Sequence, residues 1–188
     1  MTRRTAALRR ASERLRLLAT TDEVTGLHNR RFFLTRWALE CARAKRYQRP
    51  LACLMIDLNN FKQVNDRLGH LMGDLVLKQV AQHLKRGLRD SDLLARFGGD
   101  EFIVALPETT PERAARVAEK LRHIRISLPH GDVNGVPPVS LSVGMSRLKH
   151  PQDTPEELLK AADQSLYAWK QRVHQSSSVE GDPHLSLA

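Results

Sequence analysis

The chain of 188 residues is long enough for one domain with short extensions, and no apolar run approaches the roughly 20 residues that span a membrane. Its 30 lysines and arginines exceed its 21 aspartates and glutamates, and the formal charge of +9 favours an anionic partner. Since the arginine-rich N-terminus is not followed by the apolar core of a secretory signal, we expect a cytosolic protein. Two cysteines without paired spacing and eight scattered histidines argue against zinc or redox chemistry, and we expect both cysteines in the core.

Residues 1–20 form a basic N-terminal segment with six arginines and one acid. Apolar residues spaced three, four and three apart predict a narrow helical seam, whose members are Leu8, Ala11, Leu15 and Leu18. The seam fits either a dimerising helix or a helix packed on its own domain. Aromatic residues make up 5% of the chain and do not alternate with basic residues, so a nucleic-acid partner is not expected.

Alternating helix and strand patterns define a domain over residues 21–175. After a polar turn, the sequence predicts helices over residues 30–48, 72–88, 112–126 and 158–171, with a polar turn and a half-helix over residues 59–70. Short apolar or alternating runs predict strands over residues 50–58, 93–97, 102–107 and 137–146. Thr110 and Thr154 precede helices as N-caps, the second in a capping box with Glu157. Residues 176–188 lack periodicity, and we expect a disordered tail.

The order strand, helix, strand, strand, helix, strand is typical of a ferredoxin-like arrangement. We therefore predict an α/β (α+β) fold with a central sheet and helices packed on it. Such a fold brings the end of the first strand, at Asp57, close to the hairpin between the second and third strands.

The hairpin carries the sequence RFGGDEF, for which two interpretations remain open. In the first, Gly98 and Gly99 supply the positive φ of a tight turn beside two solvated acids. In the second, Asp100 and Glu101 converge with Asp57, and a hard divalent cation such as Mg²⁺ relieves the repulsion among three carboxylates. The absence of side chains on the two glycines then lets a triphosphate approach the backbone.

Four further motifs accompany RFGGDEF at fitting spacings: TDEVTGLHNRR, DLNNFKQVNDRLGHLMGD, SLSVGMS and ADQSLYAWK. Over roughly residues 20–174 the chain thus resembles the GGDEF family of bacterial diguanylate cyclases. The resemblance implies a palm-type fold, as in nucleotidyl cyclases, and condensation of two GTP molecules into cyclic di-GMP with release of pyrophosphate. It also implies a homodimer in which each half holds one GTP, with Mg²⁺, or Mn²⁺ in its place, as cofactor.

By the same resemblance, the metal ligands are Asp57, the carbonyl of Leu58, Asp100 and Glu101. Asp100 is also the candidate general base, and Lys62 is the candidate for neutralising phosphate charge in the transition state. The alternative for Lys62 is an ordinary solvated lysine.

The resemblance places nucleotide recognition on the segment after the first strand. Asn65 and Asp74 would hydrogen-bond the guanine edge, with Phe61 and His70 beside them. The alternatives are that Asp74 only stabilises a helix terminus and that His70 is a packed turn residue.

Lys170 matches a phosphate-contacting lysine of the family, but the chain departs from the family pattern beyond it. The family often continues with glycine, arginine and asparagine, whereas this chain has VHQ at residues 173–175. Arg172 then either replaces the missing phosphate contact or stabilises its helix end. Asn59 stands where an aspartate is common, and we expect little loss from this change.

Arg89 and Asp92 form an R-x-x-D motif at the offset from Gly98 that the family uses for an inhibitory product site. The alternative is a helix-ending arginine followed by a turn aspartate.

The sequence leaves three alternative functions to compare. The intact acids favour an active diguanylate cyclase. The altered end of the last helix is the one feature that favours a catalytically inactive domain that binds GTP or cyclic di-GMP for signalling. A basic nucleic-acid binder lacks a recognisable groove-reading motif.

Overall fold

The structure is a computed structural model that describes residue 14, residues 17–126, residue 135 and residues 137–179, with side chains up to residue 173. Within these ranges, none of the helices has the length and apolarity that crossing a lipid bilayer requires. Of the predicted seam, Leu8, Ala11 and Leu15 lie outside the described residues, whereas Leu18 is 53% exposed on a helical segment.

Among the described residues, six strands form one mixed sheet in the order β1-β3-β4-β2-β6-β5. The strands are β1 His28–Asn29, β2 Leu51–Asn59, β3 Leu93–Gly98, β4 Glu101–Pro107, β5 Arg125–Ile126 and β6 Val139–Arg147. The helices are α1 Arg30–Tyr47, α2 Phe61–Leu68, α3 His70–Gly87, α4 Pro111–Arg122 and α5 Pro155–Val179. Neighbouring strands run antiparallel except β1 and β3, which pair in parallel. The predicted α/β fold, with helices packed on a central sheet, is confirmed.

The structure contains two strands that were not predicted, and several predicted elements begin or end at other residues. β1 and β5 contain two residues each, which is too short to give a periodic pattern. The helix predicted over residues 112–126 therefore ends at Arg122, where the chain turns into β5. α5 continues to Val179, into the segment predicted as a disordered tail, because neither proline nor glycine interrupts it before Gly181. Residues 180–188 lie outside the described residues.

β2 is a central strand that is buried on both faces of the sheet. Successive side chains of a strand point to opposite faces, so its residues divide between two cores. The core on the side of α2, α3 and α4 contains Ala52, Leu54, Ile56 and Leu58. The core on the side of α1 and α5 contains Leu51, Cys53 and Met55. Cys41 of α1 lies in this second core, where burial raises the pKa of its thiol to about 12, and the prediction of two core cysteines is confirmed.

The same alternation places Asp57 and Glu101 on the side of α1 and α5. Asp57 follows Met55 by two residues in β2, and Glu101 precedes Ile103 by two residues in β4. The strand register pairs Asp57 with Glu101 on one flank and with Ser142 on the other. The two acids are therefore direct cross-strand neighbours at one end of the sheet.

α5 lies directly on the backbone of β6 at Gly144. A Cβ atom on Gly144 would lie 2.6 Å from Cα of Leu166, and still closer to the backbone N of Leu166 and the carbonyl O of Ala162. One residue later, the backbone N–H of Met145 donates to Oγ of Ser165 at 3.0 Å. These contacts fix the position of α5 on the sheet.

The predicted N-caps of α4 and α5 are confirmed. Oγ1 of Thr110 accepts a hydrogen bond from the N–H of Arg113 at 3.5 Å. Thr154 and Glu157 bond reciprocally, since the Thr154 N–H donates to Oε2 of Glu157 at 2.8 Å and the Glu157 N–H donates to Oγ1 of Thr154 at 3.2 Å. Local sequence thus determines where α4 and α5 begin.

Arg96 links the β3–β4 hairpin to the segment before β1. Its Nη1 donates to both carboxylate oxygens of Asp22 at 3.2 Å, and its Nε and Nη2 donate to the carbonyl of Gly99 at 3.0 and 2.7 Å. Oδ1 of Asp22 also accepts from the N–H and the hydroxyl of Thr25 at 2.8 and 2.7 Å. The side chains of Arg96 and Asp22 are only 15% and 22% exposed, so this ion pair is partly shielded from water.

We predict that Gly144→Ala lowers the free energy of unfolding by about 1–3 kcal/mol or more, because the added methyl group meets backbone atoms of α5 that cannot move independently. Urea denaturation measures the change. Gly98→Ala is the matched control, since a Cβ atom there would lie 3.8 Å from Oε2 of Glu101. Equal stability of the two variants would show that α5 can shift on β6 without cost.

We also predict that Asp22→Asn destabilises the fold in a pH-dependent way. Burial raises the pKa of Asp22, but hydrogen bonds from Thr25 and the charge of Arg96 together lower it below its ordinary value of 3.8. A pKa that is lower in the folded state contributes stability above the unfolded value, and this contribution disappears as the pH falls through the folded value.

The parent chain should therefore exceed Asp22→Asn in unfolding free energy by about 1.5–3 kcal/mol at neutral pH, with the gap closing below about pH 4. Urea denaturation from pH 3 to pH 7 measures the gap, and Glu23→Gln, an exposed neighbour, is the control. A gap that stays constant with pH would contradict a role for the Asp22 charge.

Candidate active site

Two acids and one lysine meet at the end of β2. Asp57 and Glu101 are paired across β2 and β4, and Nζ of Lys170 in α5 lies 2.6 Å from Oδ1 of Asp57. The side chains of Asp57 and Lys170 are 15% and 32% exposed, so the ion pair is partly shielded from solvent. The predicted approach of the first strand to the hairpin is present, whereas the Lys170–Asp57 pair was not predicted.

The site holds more negative charge than its lysine compensates. Burial raises the pKa of the Asp57 carboxyl, and the charge of Asp100 raises it further, although Lys170 opposes both. Burial also raises the pKa of Glu101, together with the charges of Asp57, Asp100 and Asp163. An added cation would therefore stabilise the ionised form of these acids.

The hairpin tip differs from the predicted paired-glycine turn. Gly99 has a positive φ of 34°, whereas Gly98 belongs to β3 and pairs with Glu101. The N–H of Leu58 donates to the carbonyl of Asp100 at 3.2 Å, which holds the Asp100 backbone beside the end of β2. Apart from chain neighbours, no described atom lies within 4 Å of a Cβ position on Gly99, so there is space beside the acids.

The oxygen donors suit a hard divalent cation but are not arranged as a complete ligand set. Among the residues that the structure describes, no three His, Cys, Asp or Glu side chains are positioned together to hold a metal ion. The three predicted carboxylates act on one another through their charges, and Asp57 is also paired with Lys170. The donor chemistry still fits Mg²⁺, which proteins usually hold through one or two carboxylates, water and substrate phosphates rather than through an all-protein cage.

Helix α2 begins directly after the acid-bearing end of β2. Asn60 precedes it in the left-handed conformation, with φ of 66°, and its side chain makes no N-cap hydrogen bond. Lys62 is exposed in the first turn, so an uncapped helix N-terminus and a lysine occur together, a combination that favours phosphate. The Phe61 side chain is 8% exposed and belongs to the core, and its Cζ would lie 3.2 Å from a Cβ atom on Gly73 of α3; its role as a substrate contact stays a prediction.

The predicted guanine-reading residues lie on adjoining helices. A Cβ atom on Gly73 would collide with Oδ1 of Asn65 and lie 3.1 Å from its Cγ. The Asn65 amide therefore packs against the glycine that precedes Asp74, which brings both side chains to one helix junction. Asp74 lies beyond the first turn of α3, so the structure does not support a capping role. His70 is exposed at the start of α3 and is not a packed turn residue.

The end of α5 brings one of its two predicted phosphate contacts to the acids. Lys170 contacts Asp57, whereas Nε of Arg172 donates to the carbonyl of Ala168 within α5 at 3.3 Å. The guanidinium of Arg172 also lies 5.9 Å from the ring centroid of Trp169.

Asn59, beside the acids, bonds to two serines of β6. Its Nδ2 donates to Oγ of Ser140 at 2.9 Å, and its Oδ1 accepts from Oγ of Ser142 at 2.8 Å. Asn59 therefore joins β2 to β6 immediately after the predicted metal ligands of β2.

The predicted product-site pair lies in the turn between α3 and β3. The N–H of Arg89 donates to Oδ2 of Asp92 at 2.9 Å, and the N–H of Asp92 donates to the Arg89 carbonyl at 3.0 Å. Oδ1 of Asp92 is buried and accepts no hydrogen bond from the described residues. Burial raises the pKa of this carboxyl, although Arg89 opposes the change. Both residues line a cavity of about 230 Å³.

Sequence reasoning missed three residues that shape the site. Arg96 and Asp22 are separated by 74 residues, and no local pattern connects them. Gly73 had a detectable signal, since a glycine inside a helical pattern often marks a close approach of another group.

The comparisons with known proteins agree with one another. A family model described as "Diguanylate cyclase, GGDEF domain" matches residues 19–176. The response regulator PleD of Caulobacter vibrioides is 40% identical over 157 residues, which cover 81% of this chain and 34% of PleD. The diguanylate cyclase DosC of Escherichia coli is 39% identical over 152 residues, which cover 80% of this chain and 33% of DosC. The chain thus spans about a third of the length of these curated relatives.

Solved structures show the same fold. The coiled coil and GGDEF domain of DgcB from Caulobacter crescentus, in complex with c-di-GMP, matches with a TM-score of 0.78 and 26% identity, covering 89% of both chains. The GGDEF domain of TpbB from Pseudomonas aeruginosa matches with a TM-score of 0.69 and 38% identity, covering 79% of this chain and 92% of the other. The family model covers most of the chain, and the chain therefore belongs to the GGDEF family of diguanylate cyclase domains.

Proposed function

We propose that this domain condenses two GTP molecules into cyclic di-GMP and pyrophosphate, acting in the cytoplasm where GTP is available. The observation that carries the proposal is the arrangement of Asp57, Glu101 and Lys170 beside the uncapped start of α2. This arrangement suits a metal–triphosphate substrate, because the acids favour a cation and the two lysines, Lys62 and Lys170, favour phosphate. The cyclases among the curated relatives, such as DosC, support the reaction.

Asp57, the carbonyl of Leu58, Asp100 and Glu101 would hold Mg²⁺, or Mn²⁺ in its place. When bound, the metal lowers the pKa of the attacking hydroxyl and neutralises phosphate charge. Asp100 would accept a proton from a 3′-hydroxyl that enters beside Gly99, where the hairpin tip leaves open space. The hydrogen bond from the N–H of Leu58 to the Asp100 carbonyl holds the Asp100 backbone beside the end of β2.

Lys62 and Lys170 would neutralise phosphate charge from two sides. Lys62 projects from the first turn of α2, and Lys170 reaches the site from α5, where it already contacts an anion, Asp57. Charge that develops on phosphate oxygens in the transition state would strengthen both contacts.

Asn65 and Asp74 would select guanine. A carboxylate accepts the N1 and N2 hydrogens of guanine, which adenine does not offer, and an amide can reach another edge of the base. Gly73 keeps the Asn65 amide close to α3, so the two side chains approach the base from one helix junction.

Two active halves would face each other in a homodimer. One set of acids serves one GTP, whereas the product contains two equivalent bonds between two nucleotides, which a two-fold axis supplies. Specific activity should therefore rise with protein concentration until the dimer saturates, in step with the sedimenting species.

Arg89 and Asp92 would bind the product and inhibit the enzyme. The support is the cavity beside the turn and the buried Oδ1 of Asp92, which lacks a hydrogen-bond donor among the described residues. The structure of DgcB in complex with c-di-GMP shows that a related domain binds this molecule.

The reaction is tested by incubating the purified chain with GTP and Mg²⁺ and identifying the product by mass, with Asp100→Asn beside the parent. We predict that Asp100→Asn lowers turnover by about 10²-fold or more without changing thermal stability, because a ligand charge and the candidate base are lost. Glu108→Gln, which removes an exposed charge at the other end of β4, is the control. A parent chain that binds GTP but forms no product would identify the inactive signalling domain instead.

We predict that Arg89→Ala relieves product inhibition and weakens cyclic di-GMP binding by more than about tenfold, since a charge-assisted hydrogen bond contributes roughly 1.5–3 kcal/mol. Calorimetry measures the affinity, and initial rates with added product measure the inhibition. Arg86→Ala, an exposed arginine one turn earlier in α3, is the control. Unchanged affinity would leave Arg89 as an ordinary helix-ending arginine.

A further inference from the structure

Arg122, the last residue of α4, contacts three elements of the fold. Its Nη2 donates to the carbonyl of Val143 in β6 at 2.6 Å, and its guanidinium lies 3.7 Å from the ring centroid of Trp169 in α5. Its Nη1 also bonds Oε2 of Glu119 at 3.0 Å, one turn earlier in α4. The Arg122 side chain is only 19% exposed, whereas that of Glu119 is 54% exposed, so the contacts with Val143 and Trp169 are better shielded from water than the contact with Glu119.

These contacts join the two helix layers around the edge of the sheet. α4 packs on one face, in the core with Ala114 and Leu121, and α5 packs on the opposite face, in the core with Ala162 and Leu166. β5 pairs with β6 at residues 139 and 140, so the hydrogen bond from Arg122 reaches β6 beyond this short pairing.

Trp169 is adjacent to Lys170 in α5. Gly144 and Ser165 fix α5 on β6 up to Leu166, and Trp169 makes the next half-buried contact along the helix. Beyond Lys170, the side chains of residues 171–173 are exposed. The stacking on Arg122 therefore fixes the helix turn that carries Lys170.

Arg122 also bonds β6 close to Asp57, the ion-pair partner of Lys170. Val143, whose carbonyl accepts from Arg122, is paired with Ile56 in the strand register, and the next pair along is Asp57 with Ser142. Arg122 therefore contacts the neighbours of both members of the Lys170–Asp57 ion pair. It stacks on Trp169, which adjoins Lys170, and it bonds Val143, whose strand pair adjoins that of Asp57.

We propose that Arg122 and Trp169 are positioning residues for Lys170: the guanidinium, anchored on β6, stacks on the indole and fixes the part of α5 that aims the Lys170 ammonium at the substrate phosphates. The role of Lys170 toward phosphate rests on the proposed cyclase function, but the positioning contact itself does not. Neither Arg122 nor Trp169 touches the substrate in this proposal.

The test compares Arg122→Gln and Trp169→Ala with the conservative variants Arg122→Lys and Trp169→Phe. With GTP and Mg²⁺, we expect the first two to lower kcat/KM by about tenfold or more, since misplacing a group by about 1 Å can cost as much as about 10²-fold. The conservative variants keep a cation or an aromatic face and should restore most of the activity. Glu119→Gln, which removes the exposed carboxylate that contacts Arg122 and His123, should behave as the parent.

A second set of measurements separates positioning from general stability. In a Lys170→Met background, Arg122→Gln and Trp169→Ala should change kcat/KM by less than about twofold, because residues that act through one group are not additive. Hydrogen exchange of the backbone amides at residues 166–173 should become faster in both variants, while exchange in β2 stays unchanged.

Losses that add fully to that of Lys170→Met would overturn the proposal, as would faster exchange throughout the domain. A parent chain that makes no cyclic di-GMP would refute the proposed function. The hydrogen-exchange experiment alone would then decide whether Arg122 and Trp169 position this part of α5. Unchanged exchange at residues 166–173 in Arg122→Gln would refute the positioning contact.

Discussion

The two-residue repeat of β2 is the constraint on which the site depends. Because both faces of this strand are buried, its register is fixed by two cores, and Asp57 must face α5 rather than α3. A slip by one residue would move the carboxylate into the core that holds Ile56 and Leu58, where an unpaired charge is costly, and would put an apolar side chain at the acidic site. The same parity brings Glu101 and Ser142 to the side of Asp57. The acidic site is thus a consequence of how the core packs.

The two halves of the candidate site belong to different faces of the sheet, and the chain passes between them at Asn60. The acids and Lys170 lie on the side of α1 and α5, whereas Lys62, Asn65 and Asp74 are carried by α2 and α3 on the other side. The left-handed conformation of Asn60 turns the end of β2 into α2 within one residue, which an asparagine tolerates better than most residues. A triphosphate at the end of β2 would therefore contact both groups of side chains. The turn explains why the proposed metal ligands and the proposed base-reading residues are so close in sequence.

The sequence predicted the features that repeat locally and missed those that do not. The long strands β2, β4 and β6 and the N-caps at Thr110 and Thr154 follow from periodicity and capping chemistry. β1 and β5 are two residues long and are held by neighbouring strands rather than by their own pattern. The Arg96–Asp22 and Lys170–Asp57 pairs join distant segments, so only the folded chain reveals them. Phe61 was assigned to the substrate from a motif, and the burial of its side chain was not predicted.

Asn59 shows how the chain balances charge around its acids. An aspartate at this position would add a carboxylate beside Asp57, whose pKa is already raised by burial and by Asp100. The amide instead gives one donor to Ser140 and takes one hydrogen bond from Ser142, so it joins β2 to β6 without adding charge. Lys170 contacts Asp57, and because residue 59 is uncharged, no second carboxylate at that position competes with Asp57 for the lysine. The departure of Asn59 from the family pattern therefore fits the same ion pair that Arg122 and Trp169 hold in place.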